Sequence, residues 1–482
     1  MKKRKIIKGY ILPIWMLLIV ILAFVFPFKI FIEDALSLEV MTEFGIEISI
    51  WRIIFEPVLG LLLFFNRGLY ALQELTFVLI WILILFFIFS TIKFFKLNRS
   101  QKRNYVINQL IKIPIIIGLW LTLFALIIFI PMPNNKIVNN SKDYILVSTH
   151  AHTEYSHDGL ITQNNMWEWQ KNNGFDAFFI TDHANHKKTH ELMCNQRKGD
   201  FPITPLILTG EEYSASNHMS LLGLKNKFES GDLSDQAIID SVHAYGGVII
   251  INHWFDGQKK TLDYYRDLGV DGFEIENSGS DIYYDRELHH KMIDYCIANK
   301  LIMIGGLDFH GYGNACTLWN AMKIPGWHDL EPIEKEAAIL KVLKNADQSK
   351  NKILMYKDRS YYKNKNLLFT PVFTLINYFR TLNIYQVLSW FFWLIIFKLV
   401  AILYKKRQIS SDKSMAFSGF ASALFIIMMG IFYYLKIDGI IGYTKMYVEY
   451  SSLFFYIGFI FMAYMLIYIF FKIIKPKRIQ NV

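Results

Sequence analysis

The chain has 482 residues, 53% hydrophobic and 16% aromatic, a composition that excludes a disordered or wholly solvated protein and points to segments lying in a lipid bilayer. Its formal net charge of +10 would suit nucleic acid if it covered a soluble surface, but much of it stands beside apolar runs where it meets anionic headgroups, so nucleic acid is not an expected partner. The 3 cysteines, Cys194, Cys296 and Cys316, are too few for a disulfide framework and lack the paired spacing of a zinc site.

In chain order, the first apolar run is 11–31. It follows a basic start, Lys2, Lys3, Arg4 and Lys5, but is longer than a signal-peptide core and has no small-residue cleavage site after it, so it reads as an uncleaved membrane helix. Runs at 70–92, 108–131, 383–404, 415–436 and 448–471 are also long enough, at roughly 20 residues each, to cross a bilayer. Segment 51–65 is apolar but interrupted by Arg52, Glu56, Pro57 and Gly60, which predicts an interfacial or re-entrant piece. Six spans put the basic clusters within 2–8, 93–103, 405–413 and 472–478 on one side, and the acidic loop with Glu33, Asp34, Glu39, Glu43 and Glu47 on the other. Basic flanks stay cytoplasmic, so the expectation is a multi-pass cell-membrane protein with its large central segment extracytoplasmic.

That segment opens after Pro131, Met132, Pro133, Asn134 and Asn135 and closes near 363–366, dividing the chain into a membrane region 1–133, a soluble domain 134–366 and a second membrane region 367–482. All 13 histidines lie between His150 and His328, which locates the chemistry. Strands are expected at 144–149, 177–181, 205–209, 219–224, 248–252, 272–276 and 301–306, and helices at 162–172, 234–245 (stopped by Gly246), 284–298 and 333–343. The alternation predicts a parallel α/β fold. Nearly every expected strand ends in ionisable residues: His150 and His152, Asp182 and His183, Glu212, His253, and Asp308 with His310. In a (β/α) barrel such ends converge on one face.

His150 and His152, one residue apart at a strand end, point to the same side and can ligate one ion. Ser156, Asp158 and Gly159 would turn the chain and return a carboxylate to it. Nitrogen and oxygen donors with open positions suit a metal that activates water. A lone histidine is more often packed or solvated than a ligand, so the weight rests on the set.

The set has a familiar order. His150-Ala151-His152-Thr153 with Ser156-His157-Asp158-Gly159, then Thr181-Asp182-His183, Gly210-Glu211-Glu212, His218, Asn252-His253-Trp254 and Leu307-Asp308-Phe309-His310, resembles the PHP domain, named for its polymerase and histidinol phosphatase members. The resemblance covers about 143–357. It implies a distorted (β/α)7 TIM-like barrel, inserted between the two groups of transmembrane helices, with two or three divalent ions (Zn, Mn or Fe). His150, His152, Glu212 and Asp308 would hold one; bridging Glu212 with His218 and His253 a second; Asp158, His183 and His310 a third. Asp158 stands where some members have histidine, with His157 the second choice beside it, and the family spacing favours Glu212 over Glu211. Leu307 replaces the usual small residue. Glu274 resembles a position that orients a ligand histidine, a buried charge paired with Lys or Arg being the other reading. His186, His190, His243, His289, His290 and His328 fit no motif.

The resemblance implies hydrolysis of phosphomonoesters or phosphodiesters, a metal-bound hydroxide attacking phosphorus in line. Asp308 or a nearby histidine, His218 among them, would manage the proton, and Arg197, Lys187 or Lys188 would meet the phosphate, although solvated charge is the commoner state of such helix residues. The same chemistry attacks carbonyl carbon, so an amidohydrolase or deacetylase is one alternative. A sensor or transport component is another, disfavoured because few spans carry a charge that relays an ion. An extracytoplasmic site would meet envelope phosphoesters, with the lipid bilayer as the other partner. Phe369, Phe373, Tyr378 and Phe379 would rest on the interface or pack in the helical bundle.

Overall fold

Runs such as Val248–Ile251 and Ala177–Ile180 are apolar at every position and buried on both faces, the signature of strands covered on either side. The computed structural model describes residues 12–474 apart from 67–69, 134, 215, 226, 232, 314, 363–365 and 407–410. The basic residues before Leu12 and after Ile474 lie outside the described residues. Strands are β1 Phe31–Asp34, β2 Phe44–Glu47, β3 Lys136–Asn139, β4 Tyr144–Ser148, β5 Ala177–Ile180, β6 Leu206–Ser214, β7 His218–Leu222, β8 Val248–Ile251, β9 Gly272–Asn277, β10 Ile302–Gly306, β11 Leu318–Lys323 and β12 Asn351–Lys357. One 10-stranded curled sheet has the order β1-β12-β11-β4-β5-β6-β7-β8-β9-β10, and β2 pairs with β3 in a ribbon of its own.

The sheet is mixed, which corrects the expectation of a parallel fold. β4, β5 and β6 are parallel, as are β8, β9 and β10, with helices such as Gln163–Asn172 and Lys187–Lys198 in the crossovers. β7 runs antiparallel to both neighbours. The physical reason is chain length: only residues 215–217 separate β6 from β7, and a parallel crossover needs a dozen or more. Two strands the sequence reading did not place, β11 and β12, continue the sheet antiparallel beside β4. β1 then pairs with β12, Asp34 opposite Leu354, so the sheet draws a strand from well before residue 134.

Side chains close the seam between β10 and β4–β11. Asn320 accepts from Gly305 N and donates to Gly305 O, each at 2.8 Å, while Asn351 donates to Met303 O at 2.8 Å. Alternate residues of the strands build two cores. Ile145, Val147, Phe179, Leu208 and Ile304 join Ile339, Val342 and Leu343 of the helix Pro332–Lys344 in one. Leu146, Phe178, Ile207 and Met303 belong to the other, beneath the outer helices. Glu212 and His183 lie four residues beyond Leu208 and Phe179, on the continuation of the first face.

Five helices are long and apolar enough to cross a membrane: Glu74–Phe94, Arg99–Phe129, Ile384–Leu403, Ser411–Ile437 and Lys445–Ile474. The sixth expected span is represented by Leu12–Val25, a shorter apolar helix. Segment 51–65 forms two short helices that meet at Phe55, ending in Glu56–Phe65. Ile113–Phe129 packs with Ser411–Ile437 and Lys445–Ile469 so closely that a Cβ on Gly118 would lie 2.1 Å from the Phe461 ring, a small-residue contact of the kind that joins helices in lipid. Loops at the C-terminal strand ends are bonded to the helical region: Gly313 N donates to Ile128 O (3.0 Å), Ala315 N to Asn66 O at the end of Glu56–Phe65 (3.1 Å), and Tyr443 N, in the loop between the last two helices, to Glu154 O (2.7 Å). The site-bearing end of the curled sheet therefore faces the helical bundle.

Candidate metal centre

The strand ends are tied together past the last ladder residues. Ala151 bridges Phe309 and His183 bridges Glu212, both in parallel sense. Asp308 N donates to His150 O (3.1 Å) and His152 N to Phe309 O (2.9 Å), so the continuation of β10 is fastened to that of β4. Asp308 at φ 52° and His253 at φ 29° adopt left-handed backbone there. For non-glycine residues this costs roughly 1–3 kcal/mol each and persists only where surrounding bonds impose it. One such bond is His253 N to Glu274 Oε2 (3.0 Å).

Four donors converge most tightly. His150 Nε2 and His152 Nε2 are 3.0 Å apart; each is 3.3 Å from Asp308 Oδ1, and they lie 3.3 and 3.2 Å from Glu212 Oε2. A tetrahedral ion with bonds of about 2.0–2.1 Å sets its ligands roughly 3.3–3.4 Å apart, so the donor set fits a cation at its centre. Around Glu212 stand His218 Nδ1 (3.1 Å), His183 Nε2 (3.4 Å) and His253 Nε2 (3.5 Å). Asp158 Oδ2 meets His310 Nε2 at 3.2 Å and His183 Nε2 at 3.5 Å. Among the described residues, three groups have donor atoms all within 4.8 Å of one another: His150–His152–Glu212–Asp308, His152–Asp158–His183 and His183–Glu212–His218. His183 thus stands between Asp158 and Glu212, while His253 and His310 lie at the edges of these groups.

The supporting contacts select which atoms face the centre. Buried Glu274 takes the Nδ1 side of His150 at 2.8 Å, leaving Nε2 inward, and Asn277 donates to Glu274 Oε2 at 3.2 Å. Ser156 Oγ lies 3.3 Å from His152 Nδ1 and 2.6 Å from Asp158 Oδ1. His310 Nδ1 is 2.8 Å from Asp308 O, which turns its Nε2 to Asp158. Asn252 donates to Glu212 Oε1 at 2.7 Å. Buried Asp182 holds the turn after His152 through Thr153 N (2.5 Å) and Oγ1 (2.7 Å), and burial raises its pKa to about 6.

Burial opposes charge throughout, yet the groups hold one another ionised. Burial would lower His150, but Glu212, Asp308 and Glu274 keep it well above the usual imidazole range. His152 is likewise buried, and Asp308 and Glu212 hold it at about 10. Against their own burial, Glu212 is held low by His150 and Asp308 by His150 and His310. Asp158 is also held low, by His183 and His310. These carboxylates demand positive charge between them.

Glu211 is turned away, 2.6 Å from His186 Nδ1, because successive residues of β6 face opposite sides. His157 is exposed at the rim, 4.0 Å from Asp158. Arg197 requires correction as a phosphate contact: its Nη2 lies 2.6 Å from Glu336 Oε2, at the last turn of the helix Lys187–Lys198. That helix starts beside the strand ends and runs back along the sheet, so ten residues at about 1.5 Å each carry Arg197 roughly 15 Å along it. Lys187 and Lys188 are exposed and paired with Glu229 and Glu191.

A feature the sequence reading did not identify adjoins the centre. Asp308 and His310 line one end of a cavity of about 530 Å³ whose other walls are Gly279, Tyr312 and Gly313 of the strand-end loops and residues of the helical bundle, Phe129 and Phe454 among them. No single motif could have signalled it, since its bundle walls come from three helices far apart in the chain.

No family model matches the chain, and no curated protein is similar to it. Among solved structures it is similar to a two-domain protein from Bacteroides vulgatus containing a predicted PHP-like metal-dependent phosphoesterase, at 18% identity and TM-score 0.36, over 44% of this chain and 65% of that one. It is also similar to PsfC from Pseudomonas syringae (16%, 43% and 98%, TM-score 0.31). A third is an amidohydrolase from Chromobacterium violaceum with bound sulfate and no metal (14%, 39% and 98%, TM-score 0.29). The chain thus spans just under two thirds of the Bacteroides protein's length.

Proposed function

We propose that the chain is a membrane-anchored, divalent-metal-dependent phosphoesterase with its barrel domain on the extracytoplasmic side. The observation that carries the reading is the convergence of His150 Nε2, His152 Nε2, Glu212 Oε2 and Asp308 Oδ1 at ligand-to-ligand spacing. These four would hold one ion; Glu212 with His218 and His253 would hold a second; Asp158, His183 and His310 a third. Bound there, divalent ions would supply Lewis acidity toward phosphate oxygens and lower the pKa of water.

The chain's own groups do the rest. Glu274 fixes His150 with its Nε2 lone pair inward, and Asn252 restrains Glu212 through Oε1 so that Oε2 stays free for the centre. Asp308 and His218 are among the more exposed members of the cluster and are the groups that would exchange a proton with an entering substrate or with solvent. With Arg197 committed to Glu336, phosphate charge would be met at the centre itself.

The test is hydrolysis of p-nitrophenyl phosphate, bis(p-nitrophenyl) phosphate and p-nitroacetanilide by the full chain with added Mn or Zn. The full chain is the unit to assay because β1 belongs to the sheet. Turnover of either phosphoester, lost in His150→Ala and Asp308→Ala, is expected. Turnover of the anilide alone would replace this reading with an amidohydrolase.

A further inference from the structure

The cavity beside the centre continues into the helical bundle. Its wall at one end is Asp308 and His310; at the other it is Leu121, Phe124, Leu453 and Ile457. Measured from Phe129, the end of its helix nearest the barrel, Leu121 lies eight residues back, about 12 Å at ~1.5 Å per residue. The volume of about 530 Å³ lies within the range that holds small-molecule ligands. An aromatic neck joins the two ends: the His310 and Tyr312 rings are 6.4 Å apart, Tyr312 stacks on Phe129 at 6.0 Å, and Phe129 meets Phe454 edge-on at 5.3 Å. Among the described residues lining this cavity there is no lysine or arginine, so the only ionic groups it offers are those of the centre.

One cavity that is ionic at one end and apolar along the depth of membrane helices fits a molecule of the same design. Resting on the phosphoesterase reading above, we infer that the substrate is a lipid phosphoester, its phosphate at the ions that Asp308 and His310 would help to hold and its hydrocarbon chain between the helices Ile113–Phe129, Ser411–Ile437 and Lys445–Ile469. The bonds from Gly313 to Ile128 and from Tyr443 to Glu154 hold the centre against the ends of those helices, so the lipid reaches it without leaving the bilayer. Hydrolysis forms one P–O bond to water, breaks one ester P–O bond and delivers water's proton to the departing alkoxide.

The experiment compares butyl, dodecyl and hexadecyl phosphate as substrates of the Mn-loaded full chain in mixed micelles at fixed surface concentration. The expected kcat/KM rises about tenfold or more from butyl to dodecyl, because the longer chain makes close contacts along the cavity walls that the butyl chain does not reach. Ile457→Trp and Leu121→Trp, which fill the cavity, should remove most of that ratio; micelle partitioning alone would leave it the same in all three proteins. A flat series in the wild type, or equal ratios in wild type and variants, overturns the lipid site. Should both variants lose butyl phosphate turnover, Ile457→Phe, a smaller filling, supplies the ratio. A second readout needs no turnover: hexadecylphosphonate carrying a terminal diazirine should crosslink within 121–129 or 450–457, and labelling only elsewhere overturns the inference. Turnover of p-nitrophenyl phosphate with a flat chain-length series would leave the phosphoesterase standing without the lipid site. Crosslinks in the cavity with no ester turned over would leave the lipid site without the phosphoesterase.

Discussion

Glu274 Oε1 lies 2.8 Å from His150 Nδ1, and both side chains are completely buried. A carboxylate in that position fixes the tautomer of a ligand histidine and raises its basicity. Glu274→Gln keeps the shape but supplies no charge, and it should weaken metal binding by roughly 10–100-fold. Mn titration monitored by calorimetry checks this; unchanged affinity would mean that Glu274 is only a buried structural charge.

Metal binding should strengthen as pH rises. His150 and His152 are held protonated well past neutrality by Glu212 and Asp308, so binding must displace protons. The sign for the chelator-treated protein is opposite. His152, raised to about 10, contributes its full stabilisation below its ordinary value of 6.5 and loses it as pH climbs from there toward 10. Thermal unfolding with EDTA should therefore show Tm falling over that window, and Mn should reverse the fall.

Asn320 joins β10 to β4 and β11 through bonds to both Gly305 N and Gly305 O. Asn320→Ala leaves buried backbone groups unpaired, at about 1–3 kcal/mol each, and should lower Tm by several degrees. Tm read with metal bound checks the effect; an unchanged Tm would mean that the seam closes without this side chain.

Arg197→Ala should leave KM for p-nitrophenyl phosphate within about twofold, since the guanidinium is held by Glu336 on another helix. A tenfold or larger rise in KM would show that the arginine swings to the substrate.

A topology test is independent of activity. Alkaline phosphatase fused after Pro133 should be active, since the basic flanks predict an extracytoplasmic barrel. Activity only of a cytoplasmic reporter at the same point would reverse the orientation, and with it the class of substrate the site meets.

The strands that carry the candidate site were legible because each has local, apolar character. The seven expected strands are all found, and His150, His152, His183, Glu212, His253, Asp308 and His310 lie near their C-terminal ends, whereas Asp158 is returned to the cluster by the turn after β4 and His218 opens β7. What escaped was nonlocal. β1 is only Phe31–Asp34, and nothing within four residues says that Asp34 will lie opposite Leu354. β11 and β12 carry Asn320, Asn351 and Lys352 inside their runs, which breaks the apolar pattern although Asn320 and Asn351 serve the seam. Arg197 was misjudged because nearness in sequence to His183 says nothing of the direction in which a helix leaves a strand. The cavity depends on the docking of helices more than 300 residues apart, Leu121 and Ile457 among its walls.

The most direct test of the account is the metal content of the purified full chain, determined by elemental analysis beside phosphoester turnover for the wild type, Glu212→Ala and Asp308→Ala. Two or three divalent ions per chain, with metal and turnover falling together in both variants, is the predicted result. A folded wild-type chain that takes up no Mn or Zn and turns over no phosphoester would contradict it.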